Sequence, residues 1–226
     1  MTTWNVHGSE GPPTDRLAVA IATESPDAVA VQEIRHTQAK ALGKALGMRV
    51  RWTQKHYPYS PLVYWKAEGL ATLTPHRIGA TGDAELTLSE SKSSYMRRIV
   101  QWTDIERDGA SLRLYNTHLS SEHGVYERRA EAARLAHLFR THRNDGTYAI
   151  AGDFNDDTDV AVIAAMPGIE HLAAPYTNPA EAPAQALDHI LLPPDAIDVS
   201  LSIPSGSDDW AEVSDHLPLT VRFGHG

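Results

Sequence analysis

The amino-acid sequence predicts an α/β sandwich in which helices cover mixed sheets. Strand-like and helix-like segments alternate along the first half of the chain. The second half contains two strands joined by Asp108-Gly109, a pair typical of tight β-hairpin turns. The sequence has no internal repeat and no stretch with the composition of a linker. We therefore predict one domain over residues 1–226.

The first half is predicted to contain two amphipathic helices between short apolar strands. Thr14 or Asp15 can cap a helix over 14–23, and a second helix over 37–46 ends at Gly47. The predicted strands of this half are 4–6, 27–34, 48–53, 61–65 and 69–73.

The second half is predicted to be rich in strands around one long helix over 125–142. Residues 75–94 are polar and irregular in pattern, with room for edge strands, and residues 206–212 form an acidic loop. The stripe of the helix that faces the core is Ala132, Leu135, Ala136 and Phe139, and its solvent side is Arg128, Arg129, Glu131 and Arg134. The predicted strands are 96–105, 111–119, 147–151, 186–192, 197–203 and 217–223.

Composition limits the functions that the chain can have. Its 226 residues are 42% hydrophobic and 22% charged, as in an ordinary globular protein, and the absence of cysteine excludes disulfides and thiolate metal sites. The net charge of -9 lacks the basic footprint of a tight nucleic-acid binder, although a bound metal ion could supply positive charge locally. We see no membrane-spanning run, no secretory signal and no sign of an obligate protein partner, so we expect a cytoplasmic protein.

Polar side chains recur where predicted strands end. Asp153 and Asn155 follow an apolar strand that ends at Gly152, and residues two apart share one face of an extended chain. Any one such set is most often a cap or a solvated strand end, but their repetition predicts a shared site. The other sets are Asn5, Gln32-Glu33, Asn116-Thr117-His118, Asp188-His189 and Ser214-Asp215-His216.

This joint pattern resembles the endonuclease/exonuclease/phosphatase superfamily, the fold that includes DNase I and exonuclease III. The resemblance implies a four-layered α/β sandwich, with two mixed, mostly antiparallel sheets packed face to face and helices outside. It also implies a metal-dependent phosphoesterase. The motifs stand in the family's order: Trp4-Asn5, Gln32-Glu33, Glu68-Gly69-Leu70-Ala71, Asn116-Thr117-His118-Leu119, Gly152-Asp153-Phe154-Asn155, Leu187-Asp188-His189-Ile190-Leu191 and Ser214-Asp215-His216-Leu217-Pro218.

The resemblance implies a divalent cation, Mg²⁺ or alternatively Mn²⁺, at the acidic strand ends. Glu33 is implied as the principal ligand, with Asn5 and Asp215 assisting. Hard oxygen ligands of this kind suit Mg²⁺, which keeps several waters and bridges to a substrate phosphate. The ion would act as a Lewis acid and a template.

The remaining motif residues receive catalytic roles from the same resemblance. Asp153 is implied to orient or deprotonate the attacking water, and Asn155 to hydrogen-bond the phosphoryl oxygen. Asp188 is implied to fix His216, because a carboxylate-imidazole pair favours the charged ring and sets its orientation.

His118 is implied as a second histidine on the phosphate, supported by Glu68, as in the DNase I branch. Glu68 could equally be a turn residue before a glycine. Period two places Arg98 on the apolar face of a predicted strand, so it is either a phosphate contact or a solvated edge arginine.

The identity of the substrate stays open. We expect a phosphodiester, and hence a nuclease or phosphodiesterase; the alternatives are a phosphomonoesterase acting on a small metabolite and, less favoured, a non-catalytic binding module. Against a long polyanion stand the net charge and the acidic residues Asp208, Asp209 and Glu212, close to the Asp215-His216 motif. Against a lipid stands the absence of an amphipathic or aromatic-rich membrane segment.

Overall fold

The computed structural model describes residues 1–57, 61–88, 92, 94–121, 124–142, 147–156, 170–171 and 175–225. The helices are α1 (Thr14–Glu24), α2 (His36–Leu46), α3 (Val125–His142) and α4 (Asp208–Ala211), with 3₁₀ turns at Gly8–Glu10 and Pro61–Lys66. The strands are β1 (Thr2–Asn5), β2 (Val29–Arg35), β3 (Arg49–Gln54), β4 (Glu68–Thr74), β5 (Arg77–Glu85), β6 (Ile99–Arg107), β7 (Ala110–His118), β8 (Thr147–Asp153), β9 (Glu170–His171), β10 (Asp188–Leu192), β11 (Ala196–Ser202) and β12 (Leu219–His225).

Two mixed sheets form the inner layers. The first has the strand order β11-β12-β1-β2-β4-β3 and the second β5-β6-β7-β8-β10-β9. Most neighbours are antiparallel, but β1 runs parallel to β2 and β7 parallel to β8. Because parallel neighbours end at the same edge of a sheet, each sheet carries two such strand ends side by side.

Three apolar clusters hold the layers together. Ala30 and Val221 of the first sheet pack with Leu114 and Ala149 of the second, so the sheets lie face to face. The outer face of the first sheet packs on α1 and α2, and that of the second sheet on α3. The four-layered sandwich is therefore confirmed. In the part of the chain that the structure describes, no helix has the length and apolarity needed to cross a membrane.

The predicted elements recur with a few corrections. Asp108 and Gly109 both have positive φ and form the turn between β6 and β7, as predicted. Residues 61–65 are not a strand but a 3₁₀ turn, because a short apolar run does not distinguish the two by itself. Pro13, not Thr14 or Asp15, occupies the start of α1, and no side chain caps it.

Other corrections concern surfaces. The predicted acidic loop contains α4. The edge strand for which residues 75–94 left room is confirmed as β5, at the edge of the second sheet. The predicted solvent side of α3 is wrong at Arg128 and Glu131, which are buried. The Glu131 carboxylate accepts hydrogen bonds from the backbone N–H and the hydroxyl of Ser120, and Arg128 donates to the carbonyls of Ser120 and Ser121. Both side chains therefore anchor the segment that follows β7.

Candidate active site

The predicted site residues lie at one end of the two sheets. His118 and Asp153 end the parallel strands β7 and β8 and are register partners, and Asp188 at the start of β10 pairs with Asp153. In the first sheet, Asn5 ends β1 beside Gln32, which immediately precedes Glu33. The sandwich thus brings strand ends from both sheets together, as the sequence pattern predicted.

The Asp153 carboxylate is the meeting point of these strand ends. Its Oδ2 accepts a hydrogen bond from Asn5 Nδ2 at 2.9 Å and lies 3.6 Å from His118 Nε2 and 3.9 Å from His216 Nε2. Its Oδ1 accepts from the backbone N–H of Asn155 at 2.8 Å. Burial raises the pKa of Asp153 to about 6, although the positive charge of His216 opposes the rise.

The backbone on either side of Asp153 has a conformation that suits Gly152 before it and Asn155 after it. A Cβ on Gly152 would lie 2.0 Å from the carbonyl oxygen of Thr117, so only glycine allows β7 and β8 to approach so closely. Asn155 has φ of 50°, a left-handed conformation that asparagine tolerates. Its Nδ2 donates to the Leu119 carbonyl at 3.0 Å and lies 3.1 Å from His118 Nε2.

His216 forms a buried pair with Asp188. Its Nδ1 lies 2.7 Å from Asp188 Oδ2, and the hydroxyl of Thr177 donates to the same oxygen at 2.6 Å. Burial opposes a charged ring, but the charge and the hydrogen bond of Asp188 outweigh it and raise the pKa of His216 to about 10. The Trp4 indole fixes the backbone by donating to the His216 carbonyl at 2.8 Å.

His118, unlike His216, has an environment that favours the neutral ring. The ring is buried, and burial together with the positive charges of Arg98 and Lys55 lowers its pKa well below the ordinary value. A neutral ring that accepts from Asn155 at Nε2 carries its proton on Nδ1. Nδ1 lies 3.6 Å from Glu33 Oε1 and makes no hydrogen bond within the described residues. The site therefore contains one charged and one neutral histidine.

Glu33 sits on a distorted segment of β2. Its φ is 54°, and the register of β2 against β4 shifts between Val31 and Ile34, which marks a bulge. A Cβ on Gly8 would lie 2.1 Å from the Glu33 carbonyl oxygen, so the turn after β1 packs directly against this bulge. The bulge is the local feature that places the Glu33 side chain next to His118.

The other acids differ in environment. Asp215 Oδ1 lies 3.5 Å from Nδ1 of His7; this partner raises the pKa of His7 to about 9. Burial works against a charged Asp215, but the His7 hydrogen bond prevails and lowers its pKa. Glu68 is buried, and burial together with the charge of Glu33 raises its pKa. Among the described contacts, Glu33 and not Glu68 lies within 4 Å of the His118 ring.

One member of each of two polar sets at strand ends serves the fold. Gln32 Nε2 donates to Asn116 Oδ1 at 2.8 Å, and Asn116 Nδ2 donates to the carbonyls of Val31 and Ala71. These buried bonds join the two sheets directly behind the site. Sequence reasoning gave no role to Thr177, which has no motif around it, or to Lys55, which was visible only as a cation in an aromatic loop.

The described His, Asp and Glu side chains form no group of three or more that could hold a metal ion. A metal here would therefore rely on oxygens from Glu33 and Asn5 and on water. The Asn5 Oδ1 accepts the backbone N–H of His7 at 3.1 Å and keeps a second lone pair. Glu33 is partly exposed, and the ion-pair distance of its carboxylate among the described residues is the 3.6 Å to His118 Nδ1.

Comparison with solved structures shows the fold first. Solved structures share the fold over nearly the whole chain at low identity, which shows the architecture. An endonuclease/exonuclease/phosphatase from Bacteroides vulgatus matches with a TM-score of 0.82 at 20% identity, covering 100% of this chain and 98% of that one. D. rerio TDP2 complexed with single-strand DNA product matches with a TM-score of 0.78 at 17% identity, covering 99% and 97%. The mannosyl-6-phosphatase of Bacteroides thetaiotaomicron VPI-5482 matches with a TM-score of 0.75 at 17% identity, covering 99% and 98%.

The family follows from a match to the sequence itself. The model of the Endonuclease/Exonuclease/phosphatase family matches residues 2–216. The chain belongs to this family. A sequence comparison with curated proteins gives no match.

Proposed function

We propose that this protein is a divalent-metal-dependent phosphoesterase that hydrolyses a phosphodiester by direct attack of water. The observation that carries the proposal is the convergence on one buried carboxylate, Asp153, of Asn5, His118 and His216 from separate strand ends. Membership of the Endonuclease/Exonuclease/phosphatase family supports a hydrolase acting on phosphate esters.

The residues present fit a hydrated metal ion. Glu33, Asn5 and Asp215 offer hard oxygens, and the charge of Glu33 adds to burial in disfavouring ionisation of Glu68, which marks a local excess of negative charge at the Glu33 and Glu68 carboxylates. A cation relieves such an excess, and Mg²⁺ binds with few protein ligands and several waters. When bound, it would supply Lewis-acid polarisation of the phosphate and electrostatic stabilisation of the transition state.

Side chains of the protein would supply the proton transfers and the charge stabilisation that hydrolysis needs. Asp153, with a pKa of about 6, is ionised at neutral pH yet basic enough to accept a proton from water, and Asn5 and Asn155 fix its two oxygens. Charged His216 stabilises the negative charge that develops on phosphate oxygens and can protonate the leaving oxygen. Asn155 would hydrogen-bond the phosphoryl group by exchanging the contact of its Nδ2 with His118, and neutral His118 would orient the Asn155 amide through Nε2.

A phosphomonoester is the second candidate substrate. Structural neighbours are associated with different phosphate compounds: one is named a mannosyl-6-phosphatase and another is bound to single-strand DNA product. The acidic helix α4, with Asp208 and Asp209, lies just before the Asp215-His216 motif and disfavours a long polyanion at low ionic strength. A short or small phosphorylated substrate escapes this repulsion.

The test is an activity screen with Mg²⁺ or Mn²⁺ on plasmid DNA, single-stranded RNA, bis-nitrophenyl phosphate and a panel of phosphomonoesters. We expect metal-dependent hydrolysis that a chelator abolishes and that the double variant Glu33→Gln, Asp153→Asn reduces by ~10³-fold or more. The exposed Glu10→Gln serves as matched control. Unchanged hydrolysis in the double variant refutes the proposal. Calorimetry showing no Mg²⁺ or Mn²⁺ binding by the wild type would instead favour a binding module.

A further inference from the structure

Positive charge is concentrated in one stretch of the first sheet and its helix. Residues 34–67 contain no Asp or Glu, although the whole chain has a net charge of -9. The stretch comprises the end of β2, α2, β3 and the 3₁₀ turn Pro61–Lys66. Such a local surplus in an acidic protein indicates a surface for an anionic partner. Its Lys and Arg residues are Arg35, Lys40, Lys44, Arg49, Arg51, Lys55 and Lys66.

Part of this charge forms an exposed face along the edge strand β3. His36, Lys40 and Lys44 are exposed and recur every four residues, so they share one side of α2. The His36 ring lies 4.9 Å from the Trp52 ring of β3, so this side of the helix adjoins β3. Arg49 at the start of β3 is exposed as well. We call His36, Lys40, Lys44 and Arg49 the basic face.

The charge of the basic face is not compensated by ion pairs. In the part of the chain that the structure describes, Lys40, Lys44 and Arg49 make none, whereas the neighbouring Arg51 lies 3.2 Å from Asp83 of β5. Charged residues on β3 alone would protect an open sheet edge from pairing with another chain. The lysines of the adjacent helix have no such role, so edge protection does not account for them.

The acidic residues around α4 lie elsewhere on the surface. β12, which follows α4, and β3 are on opposite sides of the first sheet, whose order is β11-β12-β1-β2-β4-β3. The α4 segment contacts α1, where Arg16 donates to Glu212 at 2.8 Å and to the Asp209 carbonyl at 2.7 Å. The repulsion of anions by α4 therefore acts mainly away from the basic face.

An exposed apolar turn continues the edge that carries the basic face. Leu62, Tyr64 and Trp65 of the 3₁₀ turn between β3 and β4 are 81%, 70% and 53% exposed. The exposed Lys66 follows them directly. A strand at 61–65 would bury alternate side chains, so this exposed cluster is not evident from the sequence. We call Leu62, Tyr64 and Trp65 the apolar tip.

We propose that the basic face and the apolar tip together bind the surface of an anionic lipid bilayer, in contrast to the expectation from the sequence. Exposed Leu, Tyr and Trp side chains enter the boundary between head groups and acyl chains, and Lys and Arg attract anionic head groups. Binding to a bilayer adds the two contributions, and this edge of the sheet supplies both. A nucleic acid would engage the cations and the aromatic rings but not Leu62, because an aliphatic side chain does not stack on a base.

Co-sedimentation with lipid vesicles tests the basic face. The wild type should bind phosphatidylcholine vesicles containing about 30% phosphatidylglycerol ~10-fold or more tightly than pure phosphatidylcholine, and high salt should weaken the binding. The double variant Lys40→Gln, Lys44→Gln should bind the anionic vesicles ~10-fold or more weakly. The double variant Arg129→Gln, Arg140→Gln makes the same change in net charge on exposed residues of α3 and should bind like the wild type.

A second pair of variants tests the apolar tip. Leu62→Ser with Tyr64→Ser should lower the affinity ~10-fold or more, because less apolar surface is buried in the bilayer. Val125→Ser with Tyr126→Ser, exposed residues at the start of α3, should leave it unchanged. Trp65 fluorescence reports insertion: vesicles should shift it to the blue and brominated lipid should quench it, and Trp65→Phe should lack both changes. Because all these side chains are exposed, the variants should melt like the wild type.

Several outcomes would overturn the bilayer as partner. They are no vesicle binding by the wild type, equal binding of neutral and anionic vesicles, unchanged binding by the apolar-tip variant, and an equal loss in the α3 variants. Binding of a single-stranded oligonucleotide but not of vesicles, lost in Lys40→Gln, Lys44→Gln, would assign the basic face to nucleic acid instead. Vesicle binding requires neither metal nor turnover, so its failure is distinguishable from failure of the proposed function.

Discussion

Replacing Asp188 by Asn should remove the positive charge from His216. Asp188 supplies the two largest contributions that favour the charged ring, its charge and its hydrogen bond at 2.7 Å. The rise of the His216 pKa from 6.5 to about 10 corresponds to roughly 5 kcal/mol of preference for the charged form. Without Asp188, burial is opposed only by Asp153 and Asp215, so we expect the proton affinity of the ring to fall ~100-fold or more.

The pH dependence of stability follows from the difference between the folded-state and unfolded-state pKa of His216. The folded-state pKa of His216 is raised above its unfolded value, so the stabilisation is complete below pH 6.5 and is lost as pH rises towards 10. The wild type should therefore lose stability between about pH 7 and 10 in urea unfolding, and Asp188→Asn should lose much less over that range. The matched control is Asp198→Asn, an exposed position with φ of 53° that asparagine tolerates.

Loss of the positive charge on His216 should also lower the rate of hydrolysis. Asp188→Asn should hydrolyse bis-nitrophenyl phosphate ~10²-fold or more slowly at pH 8.5, with part of the loss recovered near pH 6.5, where the His216 ring regains its proton. The measurements are a pH-rate profile from pH 5 to 10 and an NMR titration of the imidazole. The alkaline limb of the pH-rate profile should move to lower pH in Asp188→Asn. If it stays near pH 10, Asp188 is not the group that keeps His216 charged.

Further predictions concern the residues that hold the site together. Gly8→Ala should displace the Glu33 bulge, because its Cβ meets the Glu33 carbonyl at 2.1 Å, and metal affinity measured by calorimetry should fall while the protein stays folded. Thr177→Val removes the hydroxyl that donates to Asp188 at 2.6 Å and should destabilise the fold by about 1 kcal/mol in urea unfolding. Saturating Mg²⁺ at ~100 times its dissociation constant should add about 2.7 kcal/mol of stability to the wild type in the same unfolding assay, and much less to Glu33→Gln.

Much of the architecture is predictable because strand and helix periods are local properties. The helical spacing in 37–46 and the Asp108-Gly109 turn depend on residues a few positions apart, and both are confirmed. The 61–65 segment was mispredicted because its apolar run has neither a clear alternation nor a helical stripe. Its leucine, tyrosine and tryptophan side chains are exposed in a turn that leads into β4, which local composition does not indicate.

The environment of the site residues is less predictable than their clustering. Polar residues at strand ends predicted a shared location, and the structure brings Asn5, Asp153, His118, Asp188 and His216 together there. Which histidine is charged depends on three-dimensional neighbours, since His216 has a carboxylate at hydrogen-bonding distance and His118 has buried cations around it.

Contacts that no local period encodes explain the remaining differences. Glu131 and Arg128 lie on the polar side of an amphipathic pattern but contact Ser120 in the segment between β7 and α3. The burial of Arg98 and Lys55 is also a property of the folded chain. A helical or strand period contains no information about either.

The metal-dependent activity screen on wild type and Asp153→Asn tests the central claim most directly. The account predicts hydrolysis of at least one phosphate ester that requires Mg²⁺ or Mn²⁺, is abolished by chelator and is reduced ~10²-fold or more in Asp153→Asn. Plasmid nicking or bis-nitrophenyl phosphate turnover identifies a phosphodiesterase, and turnover of monoesters alone identifies a phosphatase. Hydrolysis that proceeds at an unchanged rate with chelator present, or in the Asp153→Asn variant, contradicts it.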